Sequence, residues 1–271
     1  MNGAGHPREL PFDGIRRLYG DRGFEVISSL HVCVVGLGGV GSWVVEALAR
    51  TGIGALTLID YDTVERSNIN RQLVALESTL GRKKGEILAE RVADIHSGCE
   101  VSIVDDFVTR DNVRRLLDPG FGFDYVVDAI DSIGFKAAII YQCRRNKIPV
   151  ITTGGAGGLT DPAQVQVKDL SRTFNDALAA RVRARLRDEY GFSRNSRRYF
   201  GVECVFSAQQ QLYPKEDGTV CHRKPGIRGV NLDCRFGYGA ASFVTATFGM
   251  LAASRVVEKS LRRHLQADRG T

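Results

Sequence analysis

The fold follows from residues 32–41, Val32-Cys33-Val34-Val35-Gly36-Leu37-Gly38-Gly39-Val40-Gly41, where an apolar run leads into a glycine-rich turn. The run predicts a strand, and a helix is predicted to follow over residues 42–50. Gly36 would permit the tight turn, Gly38 would let the backbone approach a phosphate, and Gly41 would let the helix pack on the strand. The helix would point its free N–H groups and positive dipole end at an anion. On the glycines alone, the ordinary interpretation is a dinucleotide-binding Rossmann unit.

Further apolar runs alternate with helical patterns, at residues 56–59, 101–104, 125–127 and 150–151. This alternation predicts an α/β, Rossmann-like fold with a mostly parallel sheet and helices on both faces, followed by an irregular carboxyl-terminal extension. Ligands bind such sheets at the carboxyl ends of the strands. The glycine turn, Asp60 and Asp131 all follow predicted strands. Their convergence predicts one site.

Charged and amide side chains after the second run change the interpretation of that site. Asp60 ends the run, roughly where a carboxylate binds ribose hydroxyls. Arg71 and Lys84 follow. A nicotinamide site holds the pyrophosphate of its dinucleotide mostly with backbone groups and does not need these two cations. Nucleotidyl transfer does need them, because charge builds up on the leaving pyrophosphate, and fixed cations and Mg²⁺ stabilise it. Asn68 and Asn70 suit turns and phosphate or ribose contacts. The alternative is a polar surface loop.

The motifs stand in a recognisable order. They are residues 36–41, Asp60-Tyr61-Asp62, residues 67–72, Lys84 and Asp128-Ala129-Ile130-Asp131. In this order and spacing the chain resembles the ubiquitin-activating-enzyme-like superfamily, the adenylating enzymes related to the molybdopterin and thiamine synthesis activators. More narrowly, it resembles the tRNA threonylcarbamoyladenosine dehydratases. The closer match is carried by Arg17-Leu18-Tyr19-Gly20 and by residues 104–109, 128–132, 143–149, 152–158, 217–221 and 244–249. The resemblance runs from about Phe12 to Lys259.

This resemblance implies a set of residues that contact ATP. The set is Gly36, Gly38, Gly39, Gly41, Asp60, Asp62, Ser67, Asn68, Asn70, Arg71, Gln72, Lys84, Asp131 and Ser132. Within it, Arg71, Lys84 and Asp131 are implied to act in catalysis. Arg17 is similar to an arginine that, in this superfamily, reaches into the partner subunit's ATP site. Asp131 is implied to help hold Mg²⁺. The other interpretation of Asp131 is a strand-end carboxylate that caps the next helix.

The reaction implied by the resemblance uses ATP to adenylate the threonyl carboxylate of threonylcarbamoyladenosine, next to the anticodon of tRNA. The carbamoyl oxygen then attacks the activated carbonyl and expels AMP, so the base cyclises with loss of water. Residue spacing alone predicts only that the protein adenylates some substrate. Two alternatives stay open. One is activation of the C-terminal carboxylate of a small sulfur-carrier or ubiquitin-like protein, and the other is a non-enzymatic or nicotinamide-binding module.

The six cysteines bear on the first alternative and on the compartment. None are spaced as Cys-x-x-Cys, so no zinc-ribbon pair is present. Sulfur-carrier activators of the superfamily usually have two such pairs, and the chain departs from them. Residues 1–13 are polar and broken by prolines, so we predict no signal peptide and expect a reducing cytoplasm. Cys234, beside Arg235, is either a nucleophile or a packing residue.

The carboxyl half is predicted to face tRNA. Glycines crowd residues 154–158 and suggest close approach of the backbone to a ligand, an ion or another chain. A helix is predicted to start near Ser171. Its expected buried stripe is Phe174, Leu178, Val182 and Leu186. The residues flanking the stripe are Arg181, Arg183, Arg185 and Arg187, and a second basic group follows in loop-like sequence: Arg194, Arg197, Arg198, Lys224, Arg228 and Arg235. The net charge of the chain is +6. A charge run is usually a solvated face, but the resemblance favours tRNA phosphates as its partner.

The last apolar segment completes the predicted organisation. Residues 239–257 are almost long enough to span a bilayer, but their Ser, Thr and Gly residues favour a core or dimer-interface helix. We therefore expect no membrane contact. The chain is predicted to be one adenylating domain over residues 12–265, with a nucleotide-binding half at 12–153 and a substrate-facing and dimerisation half at 154–265. The expected active unit is a homodimer, and docking of a sulfur-trafficking protein is left open.

Overall fold

A single large sheet organises the chain. The computed structural model describes residues 11–215, 217–222 and 239–267, so Cys234 lies outside the described residues. The strands are β1 (His31–Val35), β2 (Ala55–Ile59), β3 (Glu100–Val104), β4 (Tyr125–Asp128), β5 (Val150–Thr153), β6 (Val165–Asp169), β7 (Glu203–Ser207), β8 (Tyr213–Pro214) and β9 (Val220–Cys221). The helices are α1 (Asp13–Ser29), α2 (Gly41–Thr51), α3 (Lys84–Ile95), α4 (Val113–Leu116), α5 (Ile133–Arg145), α6 (Ala177–Glu189) and α7 (Ser242–Ala267).

The sheet has seven strands in the order β3-β2-β1-β4-β5-β7-β6. All pairs are parallel except β6 with β7, which is antiparallel. Six strands therefore end at one edge, which we call the carboxyl edge, and begin at the opposite amino edge. All five predicted strands are present, and α2 follows the glycine turn. The predicted fold class is confirmed.

Helices cover both faces of the sheet, each over its own hydrophobic core. One core joins the strands to α1, α2, α3 and α7 through residues such as Leu48, Leu88 and Phe248. The other joins them to α5 and α6 through residues such as Ile140 and Leu186. Strands buried on both faces are rich in apolar residues, which explains why the sequence pattern located β1, β2, β4 and β5, whereas the edge strand β3 is largely exposed.

Helix α7 packs against α2, as its apolar sequence indicated. Val244, Phe248 and Val256 are fully buried. A Cβ on Gly249 would lie 2.7 Å from the Val40 carbonyl oxygen, so the two backbones approach too closely for a larger residue. The core interpretation of this segment is confirmed. Within the part of the chain that the structure describes, no helix is long and apolar enough to cross a membrane.

Helix α6 corrects one prediction. It begins at Ala177 rather than near Ser171, because Asp176 caps it by accepting from the Ala179 N–H at 2.8 Å. Asn175, with a φ of 54°, adopts a left-handed conformation and interrupts the helical geometry just before the cap. Phe174 therefore lies outside the helix and is 42% exposed. The buried stripe comprises Ala179, Val182 and Leu186, with Leu178 only partly buried.

Candidate nucleotide-binding site

The glycine turn lies at the carboxyl edge between β1 and α2. Gly36 has a φ of +87°, and a Cβ on Gly41 would lie 1.7 Å from the Gly36 carbonyl oxygen, so both positions require glycine. The N–H groups of Leu37 and Asp62 donate to the two carboxylate oxygens of Asp60, at 2.6 and 2.8 Å. Asp60 therefore ties the end of β2 to the turn. No side chain among the described residues caps α2, which leaves its positive dipole end to an anion.

Arg71 packs onto this turn. A Cβ on Gly39 would lie 3.1 Å from Arg71 Cγ, and the guanidinium Nη1 donates to the Ser67 carbonyl at 2.8 Å. The Arg71 carbonyl accepts from Trp43 Nε1 at 3.1 Å and from Thr245 Oγ1 at 3.2 Å. Helices α2 and α7 thus hold the backbone of Arg71, while its guanidinium stays at the surface.

An open cavity of about 440 Å³ borders the guanidinium. Its lining includes Ser67, Asn70 and Arg71 from the segment between β2 and α3, and Gly239 and Ala240 from the start of the α7 segment. Asn70 Nδ2 donates to the Ala240 carbonyl at 2.8 Å. The structure therefore brings three of the predicted ATP-contacting residues together, in a space of the size that small-molecule sites have.

Asn68 and Gln72 are buried beneath this segment. Asn68 Oδ1 accepts from the Glu65 N–H at 3.1 Å, so this side chain shapes the loop. Gln72 faces the glycine turn, since a Cβ on Gly38 would lie 3.8 Å from Gln72 Nε2. Gln72 Oε1 is buried without a hydrogen-bond partner among the described residues. A buried side chain with an unmatched acceptor therefore lies beside the glycine turn.

Lys84 joins the ends of two elements at the carboxyl edge. Its side chain is 5% exposed, and Nζ donates to Asp62 Oδ2 at 2.8 Å. Its N–H also donates to the Asp62 carbonyl at 3.1 Å, which links the start of α3 to the segment after β2. The Asp62 charge, then burial, then the Asp60 and Asp131 charges raise the pKa of the nearby Tyr61 hydroxyl. The charges of Asp60, Asp62 and Asp131 therefore all act on this exposed phenol.

Asp131 is exposed on the turn between β4 and α5, followed by the half-buried Ser132. No side chain in the described chain caps α5, so the interpretation of Asp131 as a helix cap finds no support. Across the described ranges, no three acidic, His or Cys side chains are grouped to hold a metal ion. Mg²⁺ usually takes one or two carboxylates and completes its shell with water and phosphate oxygens. Asp131 is a single exposed carboxylate, and one carboxylate is compatible with that mode.

A buried ion pair beside Asp131 was not found from the sequence. Lys136 Nζ lies 3.0 Å from Asp128 Oδ2, and both side chains are almost completely buried. Lys136 also donates to the Ile130 carbonyl at 2.8 Å, and Thr152 Oγ1 donates to Asp128 Oδ2 at 2.6 Å. The pair thus holds the backbone that leads to Asp131. The available signal was a single lysine within the apolar run Phe135–Ile140, on the helix that begins after Ser132.

The glycine cluster after β5 does approach another group closely, within the same chain. A Cβ on Gly154 would lie 1.8 Å from Asp176 Oδ2, and the Gly155 N–H donates to the same oxygen at 3.0 Å. Burial raises the pKa of Asp176, although hydrogen bonds from the Ala179 and Gly155 amides and the Lys136 charge oppose it. The cluster therefore connects β5 to the N-terminus of α6 at the carboxyl edge.

Other predicted residues lie apart from this site. Arg17 is exposed on α1, and within the described residues no hydrogen bond or ion pair engages its side chain. Cys33, Cys143 and Cys204 are buried, and burial raises the pKa of each thiol, so these three are packing residues.

The arginines of α6 are mostly engaged with the protein itself. Arg183 donates to Thr173 Oγ1, Arg185 pairs with Glu189 at 2.8 Å, and Arg187 lies over the Phe200 ring. Only Arg181, among the four predicted to flank the stripe, has a fully exposed position without such a contact in the described chain. The helix is therefore not a continuous basic face.

Comparison with known proteins agrees with this geometry. The sequence profile of the ThiF family matches residues 14–268. The tRNA threonylcarbamoyladenosine dehydratase of Escherichia coli (strain K12) is 52% identical over 253 residues, which are 93% of this chain and 94% of that protein. The protein of the same name from Haemophilus influenzae is 49% identical over 256 residues, 94% of this chain and 95% of that protein.

A solved structure extends the similarity to three dimensions. The crystal structure of E. coli tRNA N6-threonylcarbamoyladenosine dehydratase in complex with ATP has a TM-score of 0.83 and 48% identity to this chain. The match covers 94% of this chain and 96% of that one. Sequence and fold agree over nearly the full length of both. The chain therefore belongs to the ThiF family and, within it, to the tRNA threonylcarbamoyladenosine dehydratases.

Proposed function

We propose that this protein dehydrates threonylcarbamoyladenosine next to the anticodon of tRNA, by ATP-dependent adenylation of the threonyl carboxylate. The observation that carries the proposal is about 50% identity, over nearly the whole of both chains, to relatives named for this activity. The glycine turn, Arg71 and Lys84 at the carboxyl edge supply the chemistry that such a reaction needs. Activation of a sulfur-carrier protein is not favoured.

The reaction balances in two steps. A threonyl carboxylate oxygen attacks the α-phosphorus of ATP, the bond to the β-phosphate oxygen breaks, and pyrophosphate leaves. The carbamoyl carbonyl oxygen then attacks the acyl carbon of the adenylate, the bond to AMP breaks, and a carbamoyl N–H loses its proton as the ring closes. Cations next to the β and γ phosphates favour the first step, because negative charge grows on the leaving group. The second step is intramolecular and gains from proximity.

Each predicted site residue keeps a proposed role. Arg71 grips phosphate oxygens with its planar fork, and Lys84 adds a point charge once ATP competes for it with Asp62. Asp60 binds ribose hydroxyls in addition to ordering the turn. Asp131 would hold Mg²⁺ together with the phosphates, and the ion would supply further positive charge at the leaving group. Ser67, Asn70 and Ser132 contact the nucleotide, whereas Asn68 and Gln72 support the loop from beneath.

The active unit we propose is a homodimer in which Arg17 reaches the partner's ATP site. The support is a set of large apolar side chains exposed near it and on α7: Leu18 is 69% exposed, Phe243 55% and Met250 42%. Exposed apolar groups of this size favour association with another surface. Residues 12–265 would then form one adenylating domain, with residues 154–265 serving tRNA and dimer contacts. The cytoplasm is the proposed compartment, in keeping with the free thiols of Cys33, Cys99, Cys143 and Cys204.

The test of this function uses tRNA from cells that lack the protein. The tRNA is incubated with the purified protein and Mg-ATP, isolated under mild conditions and analysed by mass spectrometry for loss of one water from threonylcarbamoyladenosine. Water loss is expected with the wild type and not with Arg71→Ala. Arg50→Ala is the matched control, because Arg50 is an exposed arginine of α2 whose ion-pair partner within the described residues is Glu46. The proposal fails if no water is lost while a small Gly-Gly-ended carrier protein triggers pyrophosphate release.

A further inference from the structure

We propose that a basic patch on the amino edge, opposite the nucleotide site, binds the sugar-phosphate backbone of the same tRNA. The choice of tRNA as the occupant rests on the proposed function. The amino-edge patch comprises Arg144, Arg172, Arg197, Arg198 and Tyr199, all of them exposed. Arg197 and Arg198 stand in the basic loop that follows the arginine-rich helix in the sequence, and the fold adds Arg144, Arg172 and Tyr199 to them.

The topology brings two distant segments together at this edge. Strand β6 runs antiparallel to the rest of the sheet, and its last residue, Asp169, lies opposite Glu203, the first residue of β7. Arg172 therefore follows β6 at the amino edge, and Tyr199 precedes β7 there. Helix α5 ends at Arg145, shortly before β5 begins, which carries Arg144 to the same edge.

One carboxylate orders the patch. Asp169 Oδ1 accepts from the N–H groups of Ser171 and Phe200, at 2.9 and 3.0 Å, and Oδ2 accepts from those of Gly201 and Val202, at 2.7 and 3.2 Å. Burial would raise the pKa of Asp169, but these hydrogen bonds outweigh it, and the pKa is lowered. This carboxylate thus clamps two loops together through backbone N–H groups, and within the described residues it forms no ion pair with an arginine.

Direct contacts then connect the members of the patch. The Arg172 guanidinium carbon lies 4.7 Å from the centroid of the Tyr199 ring, which is 68% exposed. Gly201, two residues further along, lies against Arg144, since a Cβ there would be 3.1 Å from Arg144 Nη2. The patch is therefore continuous from the end of α5, across the clamped loop, to the turn after β6.

The positive charge of this surface is not neutralised. Within the described residues, no ion pair or side-chain hydrogen bond engages Arg144, Arg197 or Arg198. The nearest acidic residues on α6 are taken: Asp188 pairs with Arg194, and Glu189 pairs with Arg185 and Arg110. Four guanidinium groups therefore face solvent around an exposed aromatic ring.

This combination fits RNA better than an acidic protein surface. Guanidinium groups bind phosphate oxygens in a bidentate manner, and an exposed tyrosine offers a face on which a base or ribose can stack. A strand of five residues spans roughly 17 Å, so a tRNA whose modified base lies at the carboxyl edge is long enough to reach the amino edge. A contact so far from the reacting carboxylate stabilises bound substrate and transition state equally, and affects KM rather than kcat.

The experiment compares two double charge reversals with the same change in net charge. One is Arg197→Glu with Arg198→Glu in the patch. The matched control is Arg114→Glu with Arg115→Glu, two adjacent exposed arginines of α4 that lie outside residues 154–265. For the patch variant we expect about a tenfold rise in the KM and Kd for tRNA, an unchanged kcat and an unchanged affinity for ATP. The slope of log Kd against log salt should fall by about 1–2, because fewer counterions are released. The control should bind tRNA like the wild type.

Two further variants separate the aromatic ring from the charges. Tyr199→Phe keeps the ring and should bind tRNA normally, whereas Tyr199→Ala should weaken binding about threefold to tenfold. The proposal is overturned if the patch variant keeps the wild-type Kd and salt slope for tRNA. That result is also the one expected if the surface binds an acidic protein instead. Binding of unmodified tRNA is measured without turnover, so failure of the dehydration reaction and failure of the patch are distinguishable.

Discussion

Two adjacent lysines at the start of α3 differ in their burial and in the carboxylate that each contacts. Lys83 is 38% exposed and pairs with Asp105 at 2.7 Å, whereas Lys84 is 5% exposed and pairs with Asp62 at the nucleotide site. We expect Lys84→Met to lower kcat/KM for the adenylation step about a hundredfold, because a fixed cation stabilises the leaving pyrophosphate. Lys83→Met should change it less than about twofold, since exposed ion pairs contribute little. The measurement is steady-state release of AMP with modified tRNA.

The melting temperature of each lysine variant serves as the control for folding. Asp62 remains 46% exposed, so water can solvate its carboxylate after Lys84 is replaced, and the variant should stay folded. Equal losses of activity in the two variants would contradict the assignment of Lys84 to the phosphates. These two variants therefore test a role of Lys84 that only its burial and position distinguish from Lys83.

Helices α2 and α3 are connected by an ion pair between Glu46 and Arg91. Glu46 of α2 accepts from Arg91 of α3 at 2.6 and 2.9 Å and from Arg50 at 2.7 Å, and its side chain is 6% exposed. Burial would raise the pKa of Glu46, but the hydrogen bonds from Arg91 and Arg50 outweigh it, so the pKa lies below its ordinary value of 4.5. The ionised form is therefore favoured in the folded state.

The sign of the pH dependence follows from this lowered pKa. A carboxyl group with a lower pKa in the folded state stabilises the protein above its unfolded pKa, and the stabilisation is lost as the pH falls through the folded value. We expect Glu46→Gln to lower the free energy of unfolding by about 2 kcal/mol at about pH 7, and the difference to vanish as the pH falls well below 4.5. Urea unfolding across this range measures it.

A surface pair provides the matched control for Glu46. Glu25 is 62% exposed and bonds Arg22 within α1 at 3.3 Å, so Glu25→Gln should change the free energy of unfolding by less than about 0.5 kcal/mol at every pH. A Glu46→Gln deficit that persists undiminished in acid would show that shape, and not charge, links α2 to α3.

The whole molecule is complete only as a dimer if Arg17 serves the partner's site. Arg17→Ala and Arg71→Ala chains should each be inactive alone. A heterodimer of the two would contain one site with both arginines and one site with neither. Random pairing makes half of the dimers mixed, so co-expressed chains should recover about a quarter of wild-type activity. The measurement is dehydration of tRNA by the purified mixture, with its mass checked by light scattering.

If no activity is recovered, Arg17 does not serve the partner's site. An arginine that acts within its own subunit would leave every site of the mixture without one of the two arginines. A mixture of two separate preparations of the Arg71→Ala chain is the control for concentration and handling. Recovery above that background would support both the dimer and the direction in which Arg17 reaches.

Much of the fold was predictable because its signals are local. Strands β1, β2, β4 and β5 are almost entirely buried and consist mainly of apolar residues, and the turn after β1 needs glycine at Gly36 and Gly41 for steric reasons. The order of the glycine turn, the acidic strand ends and Lys84 was likewise sufficient to indicate a nucleotide site. These features depend on near neighbours in the chain, which the sequence displays directly.

The tertiary structure alone decided which polar groups remain free to act. Periodicity predicted Phe174 to be buried, but the cap at Asp176 leaves it exposed, and three of the α6 arginines are turned to internal partners. The backbone of Arg71 is held by Thr245, 174 positions away. Such contacts join residues far apart in sequence, so no local pattern records them. The sequence by itself determined the fold class and the candidate nucleotide site, while long-range packing determined which charges are neutralised and which face a ligand.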